Sequence, residues 1–200
     1  MKPILVNQLK RGLLALTFFG AVLGIIIVIA IAGWIIGYNA LIKYLHWVEE
    51  AWAYLDSLLK RRYDHVPQLV EIMQAEVRTE QHTLERAIEL RSQLMSSNNS
   101  RKQKLQINNE LSKVLKQIIS VKNEVKELKE NPSFLELESQ IQETDEKISK
   151  ASKMYNNTVA KYNAKISSAP TNFVANAHNF HERESLEEAR AVTSGMKATS

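Results

Sequence analysis

Five histidines, His46, His65, His82, His178 and His181, are the residues of this chain best suited to holding a metal or moving a proton near neutral pH. A di-iron helical bundle draws on Glu-x-x-His, which sets a carboxylate and an imidazole one turn apart, facing one cavity. The residues three positions before the five histidines are Lys43, Arg62, Thr79, Ala175 and His178, so that motif is absent. His-Glu-x-x-His, the arrangement of zinc hydrolases, is absent as well. His178-x-x-His181 puts two imidazoles one turn apart and supplies half of a metal site; a solvated pair near the chain end is the expectation.

Nucleophilic chemistry fares no better. The chain contains no cysteine, which excludes disulfides, thiolate zinc sites, iron–sulfur clusters and a cysteine nucleophile. A serine nucleophile needs a shaped turn and an oxyanion hole. The six glycines are Gly12, Gly20, Gly24, Gly33, Gly37 and Gly195, leaving none between Tyr38 and Ser194. That stretch holds no P-loop, no dinucleotide-binding turn, no Asn-Gly hairpin and no glycine cap. Catalysis and a cofactor are therefore not expected, and an all-helical body is.

The elements that must position these residues begin with an apolar run. From Gly12 through Ile42 there are 31 residues without a charge. Leu13–Ile36 would form about 36 Å of helix at 1.5 Å per residue, enough to cross a hydrocarbon core of about 30 Å. Trp34, Tyr38, Tyr44 and Trp47 gather where its C-terminal end should meet lipid headgroups. Ala30-Ile31-Ala32 resembles a cleavage site, but the apolar run outlasts a signal peptide, so an uncleaved anchor is expected. Lys2, Lys10 and Arg11 precede the run and Lys43 alone follows it closely, which predicts a cytoplasmic N-terminus and a body outside the cytoplasm. Gly20-x-x-x-Gly24 and Gly33-x-x-x-Gly37 match helix-dimer spacing but fall on nearly opposite faces, so one seam cannot use both.

The net charge of +4 comes largely from those first three basic residues; beyond them 23 basic residues face all 22 acidic ones. Interleaved charge of this kind is a solvated surface rather than a nucleic-acid footprint.

Heptad-like stripes fill the remainder. Leu41, Leu45, Val48, Trp52, Leu55 and Leu59 continue the apolar helix with no breaker after Gly37. Pro67 interrupts the pattern, predicting a kink at Asp64–Val66 with Asp64 as cap, before Val66, Val70, Met73, Val77, Leu84 and Ile88. Residues 96–100 read as a polar connection. A second run, Ile107, Leu111, Val114, Ile118, Val121, Val125 and Leu128, stops at Asn131-Pro132, where Asn131 competes with Ser133 to cap the third. The third comprises Phe134, Leu137, Ile141, Thr144, Ile148, Ala151, Tyr155, Val159, Tyr162 and Ile166, ending before Pro170. Phe173, Val174 and Phe180 open a fourth element.

The fold class is thus all-α: an N-terminal transmembrane helix continuing into an elongated antiparallel up-and-down bundle of three to four helices. A coiled coil completed by a second chain is the alternative. The domains expected are a basic tail (1–12), the transmembrane helix (13–37), the bundle (38–180) and a polar, disordered tail (181–200).

Several stretches carry a resemblance. Tyr38-Asn39-x-Leu41, Ala51-Trp52 and Leu59-Lys60-Arg61-Arg62-Tyr63-Asp64-His65-Val66-Pro67 are followed much later by Tyr155-Asn156-x-x-Val159-x-x-Tyr162-Asn163-x-x-Ile166-x-x-x-Pro170. Together they resemble the LemA family over about residues 38–95 and 131–180. His65 and Gln68 stand where that family more usually has Leu and Asn. His178-Asn179-Phe180 replaces its customary Gly-Phe.

The resemblance implies a single-pass bacterial envelope protein with a helical bundle and no established enzymatic activity. Its structural motif residues here are Tyr38, Asn39, Trp52, Arg61, Arg62, Asp64, Pro67, Tyr155, Asn156, Tyr162, Asn163 and Pro170. The function so implied is a membrane-anchored structural or adaptor protein, with lipid bilayer, other envelope proteins and a second copy of itself as partners. A magnetosome-membrane protein of the same family is the alternative, and a metal-binding or enzymatic bundle the more distant one. The Tyr-Asn pairs have their own reading: rings on the apolar stripe and amides at its edge, bridging toward Arg61, Arg62 and Asp64.

Overall fold

Sixty-three consecutive residues, Lys2–Asp64, form the first helix (α1) of the computed structural model, which describes residues 2–77, 81–96 and 98–186. Its length follows from the absence of proline between Pro3 and Pro67. Pro67 has no N–H for the Tyr63 carbonyl, and its ring crowds that oxygen, so the helix breaks just ahead of it. A turn at His65 absorbs the break: His65 N–H reaches the Arg62 carbonyl (3.3 Å), and Leu69 N–H reaches the His65 carbonyl (3.1 Å). The predicted cap is not used. His65, not Asp64, precedes the next helix, no side chain caps it, and Asp64 is exposed.

Helices α2 (Val66–Glu76), α3 (Gln81–Met95), α4 (Arg101–Ser120), α5 (Lys126–Glu130), α6 (Pro132–Ser167) and α7 (Thr171–Ala177) follow, and no strand occurs among the described residues. The stripe expected to run unbroken from Val66 to Ile88 instead leaves the helix at Val77, which is extended. The chain then returns along α3: Leu94 lies with Leu59 and Tyr63, and Ile88 and Arg91 with Val66 and Val70.

Ser100 turns the chain again through a capping box, its hydroxyl accepting from Gln103 N–H and the Gln103 amide oxygen from Ser100 N–H. The run expected from Ile107 to Leu128 is also broken. A 3₁₀ turn at Val121–Asn123 and an extended Val125 separate α4 from α5. Valine and asparagine are weak helix formers, and here they yield to a turn that still seats Leu128 in the core. At Asn131 the competition resolves in its favour: its Oδ1 accepts from Phe134 N–H (3.1 Å), leaving Ser133 unused.

The chain divides into two compact units, Met1–His46 with Lys161–Arg183, and Trp47–Ala160 with Glu184–Ser200. Tertiary contact therefore groups residues differently from the linear division at 37/38. In the second unit the C-terminal part of α1 with α2, then α3, α4 and α6, run up, down, up and down. Lys122 on the 3₁₀ turn meets Glu138 on α6 (2.6 Å), and Arg86 on α3 meets Glu110 on α4 (2.9 Å). The core contains Met73, Leu84, Leu90, Leu111, Leu115, Ile118, Leu128 and Phe134. All ten positions of the third stripe, Phe134 through Ile166, are buried.

In the first unit, every described residue from Lys10 to Ile36 is exposed. This stretch belongs to the one described helix that is long and apolar enough to cross a membrane, by length and composition. The expected tail from residue 187 onward lies outside the described residues.

Candidate functional site

Arg62 is the most constrained polar side chain of the second unit. It sits on the last turn of α1, 5% exposed. Its Nε and Nη2 donate to Asp145 Oδ1 at 2.9 and 2.6 Å, and its Nη1 donates to Asn108 Oδ1. One guanidinium therefore ties α1 to α4 and α6. Its planar fork suits this better than an ammonium would. Asn108 is itself 1% exposed, and its Nδ2 has no hydrogen-bond partner. The arrangement holds three helices in register; it presents no nucleophile and no open face to a substrate.

Ten residues earlier on α1 the same three helices meet again. The Trp52 and Tyr155 rings lie edge to face with centroids 5.7 Å apart, and the Arg101 guanidinium sits 5.0 Å above the indole. Arg101 also pairs with Glu49. Beside Tyr155, Asn156 Oδ1 accepts from Leu186 N–H (2.9 Å), and the Tyr155 hydroxyl donates to the Glu184 carbonyl (3.4 Å).

The first unit holds its own clamp. Asn163 Nδ2 donates to the Arg183 carbonyl and its Oδ1 accepts from Arg183 N–H, both at 2.9 Å. Tyr162 is buried beside it in sequence. The expectation that the asparagines bridge toward Arg61, Arg62 and Asp64 is thus corrected: each amide binds main chain after α7 instead. The physical reason is simple. An amide has one donor and one acceptor side that match a peptide unit, whereas Arg62 is already taken by Asp145 and Asn108.

The other end of this unit is aromatic. Gly37 faces α7, and a Cβ there would lie 3.3 Å from Val174 and 3.5 Å from Thr171, so glycine permits the approach. Trp34 Nε1–H donates to His178 Nε2 (3.3 Å). The Tyr38 ring meets His178 at a tilt, 4.8 Å between centroids, and Phe180 edge to face at 5.9 Å. The indole thus takes up one of the two ring nitrogens of His178 in the sequence-predicted half-site. No group of three metal-ligating side chains occurs among the described residues.

The remaining motif residues are peripheral. Asn39, Arg61, Pro67 and Pro170 are exposed. Pro67 opens α2, and Pro170 precedes α7. The positive charge of Arg61 reinforces burial in holding His65 below the usual imidazole pKa. Asn108 and Asp145, which complete the Arg62 cluster, escaped the sequence reading; the legible signal was Asn108, a polar residue three positions before the buried Leu111.

The LemA family model matches residues 51–197. The chain belongs to the LemA family. No curated protein matches it. The matched span of this LemA-family chain includes the Arg62 cluster, the Trp52–Tyr155 contact and both asparagine clamps. It excludes the apolar half of α1 together with Trp34, Gly37 and Tyr38, whose contacts His178, Val174 and Phe180 fall inside it.

Proposed function

We propose that this protein is a membrane-tethered structural or adaptor protein, with α1 crossing the bilayer once and the helical bundle presented at its surface. The observation that carries the reading is the division of labour along α1. Every residue of 10–36 whose burial is described is exposed, while Leu41, Val48, Ala51, Leu55 and Leu59 are buried in the same continuous helix. A helix apolar all round is stable only where something apolar surrounds it.

The basic residues Lys2, Lys10 and Arg11 favour a cytoplasmic N-terminus, with the bundle outside the cytoplasm. Partner proteins of the envelope have a place to dock in the open groove between α2 and α3. It encloses about 360 Å³ and is lined by Val66, Pro67, Val70, Ile88 and Arg91, with Ile88 46% exposed. The role is organisational: the polar clusters spend their hydrogen bonds on the fold itself.

Membrane fractions washed with alkaline carbonate test the tether: the full chain stays in the pellet, and its release would refute the reading. Protease added outside intact spheroplasts should digest the bundle; digestion only after lysis would reverse the orientation.

A further inference from the structure

The short helix α7 belongs to the first unit, and one of its faces is unusual. Thr171, Val174 and Ala175 are buried, the first two against Gly37. Phe173 is 65% exposed. An exposed phenylalanine on a helix whose neighbours are already packed has a surface free to touch something apolar.

Its position says what. Gly37 is one residue, about 1.5 Å of helical rise, beyond Ile36, the last residue of the exposed apolar stretch. Ile35 and Ile36 are themselves 55% and 69% exposed. Because α7 packs on Gly37, and His178 reaches back to Trp34, α7 lies beside the final turns of that stretch. If those turns end in the headgroup layer, so does α7. Trp34 and Tyr38 are the amphipathic rings that favour this layer, and the Trp34 indole and His178 ring satisfy each other there.

We propose that α7 is a second lipid contact: an interfacial foot that lays Phe173 into the bilayer surface beside the exit of α1, so that the first unit meets the lipid at two points rather than one. This rests on the reading that α1 spans the membrane. The occupant of the Phe173 face is the lipid bilayer, and binding is of the in-plane amphipathic kind.

Because the chain has no cysteine, single cysteines give unique labels. Nitroxides at Leu23→Cys, Phe173→Cys, Ala177→Cys and Ser139→Cys are compared in the full chain reconstituted into vesicles of phosphatidylcholine and phosphatidylglycerol. Collision with oxygen against a water-soluble nickel chelate reports depth. The label at 23 should favour oxygen strongly, the label at 173 should read a shallow but non-aqueous depth, and the label at 139, an exposed position on α6, should read water. The label at 177, one turn from an intact Phe173 on the exposed face, should shift with 173 rather than with 139.

A lipid reading at 23 with aqueous readings at 173 and 177 overturns the foot and leaves the tether standing. An aqueous reading at 23 overturns the tether and the foot with it.

Discussion

Residues 13–36 and 41–59 of α1 both carry leucine, isoleucine, valine and tryptophan, and the protein uses these apolar side chains in opposite ways. In the first segment the apolar side chains point all round the helix and every described residue is exposed. In the second they recur at steps of three and four, so that Leu41, Val48, Leu55 and Leu59 are enclosed while Lys60 and Asp64 face out. Charge separates the two, since Lys43, Glu49, Glu50 and Asp56 lie in the second and no charged residue lies in the first, and the angular distribution of the apolar residues follows from it. A stripe selects other helices as its solvent, and a full circle selects hydrocarbon.

The sharpest way to break this comparison is to make the same change in both segments. Leu55→Ala empties a site that is 0% exposed and should cost about 4 kcal/mol of bundle stability, in the upper part of the range for enclosed leucines. Leu23→Ala, at a position 59% exposed, should leave bundle stability unchanged. Urea unfolding in detergent, followed by far-UV ellipticity, reads both. Equal losses would mean that the first segment packs on protein after all.

Next in size is Arg62→Ala. Asp145 and Asn108 lose the donor that neutralises and satisfies them, at a cost of about 3 kcal/mol, the lower end for a broken buried pair because the Asp145 side chain remains 27% exposed. Arg62→Lys keeps the charge but not the fork, and should recover only part of the loss. Full recovery by lysine would show that charge alone, and not the two-helix geometry, is what the bundle needs.

How legible all this was in the sequence depends on the range of the interaction. Stripes are local, so the third run was readable to the last residue, whereas the cap before it stayed open between Asn131 and Ser133 until the Asn131 Oδ1 bond to Phe134 N–H decided it. The interruptions were harder. Val77 and Val125 sit in phase with their stripes, and nothing local announces that the chain leaves the helix there; the tertiary gain from turning back decides it. Partner choice was harder still. Arg62 was evidently important, but Asn108 is 46 residues away and Asp145 is 83, and periodicity carries no information about which polar residue across the bundle answers which. The Tyr-Asn pairs were found by pattern and assigned the wrong target. An amide complements a backbone peptide from any segment, and the segment after α7 had no stripe to mark it.

A third test sets two glycines against each other. Gly33 and Gly37 are one turn apart, yet a side chain at Gly33 would meet nothing within 4 Å, while one at Gly37 would press on Val174. Gly33→Leu should be silent. Gly37→Leu should cost about 2 kcal/mol through overpacking, or displace α7 and with it the His178 contact of Trp34. Trp34 emission, read in a variant with Trp47 and Trp52 replaced by Phe, should then change for Gly37→Leu alone. A matching change for Gly33→Leu would point to a helix–helix contact on the Gly33 face, such as a dimer.

The smallest effect belongs to the break where the striped segment of α1 ends. Burial first, and Arg61 second, push the His65 pKa below its usual 6.5, with Asp64 opposing. Its Nε2 is enclosed and has no partner, so the folded state favours the neutral ring. Above the ordinary imidazole pKa, folded and unfolded chains are both neutral at this residue, and it contributes no slope. As pH falls through that value the unfolded chain takes the proton first, and stability declines until the folded pKa is passed, where the slope flattens. His65→Gln should remove this share of the acid sensitivity and leave stability above that range nearly unchanged. Urea midpoints of both proteins across the imidazole range measure the difference, since the four other histidines are common to both. Parallel profiles would show that His65 protonates as easily folded as unfolded, and that the turn before Pro67 opens enough to solvate its ring.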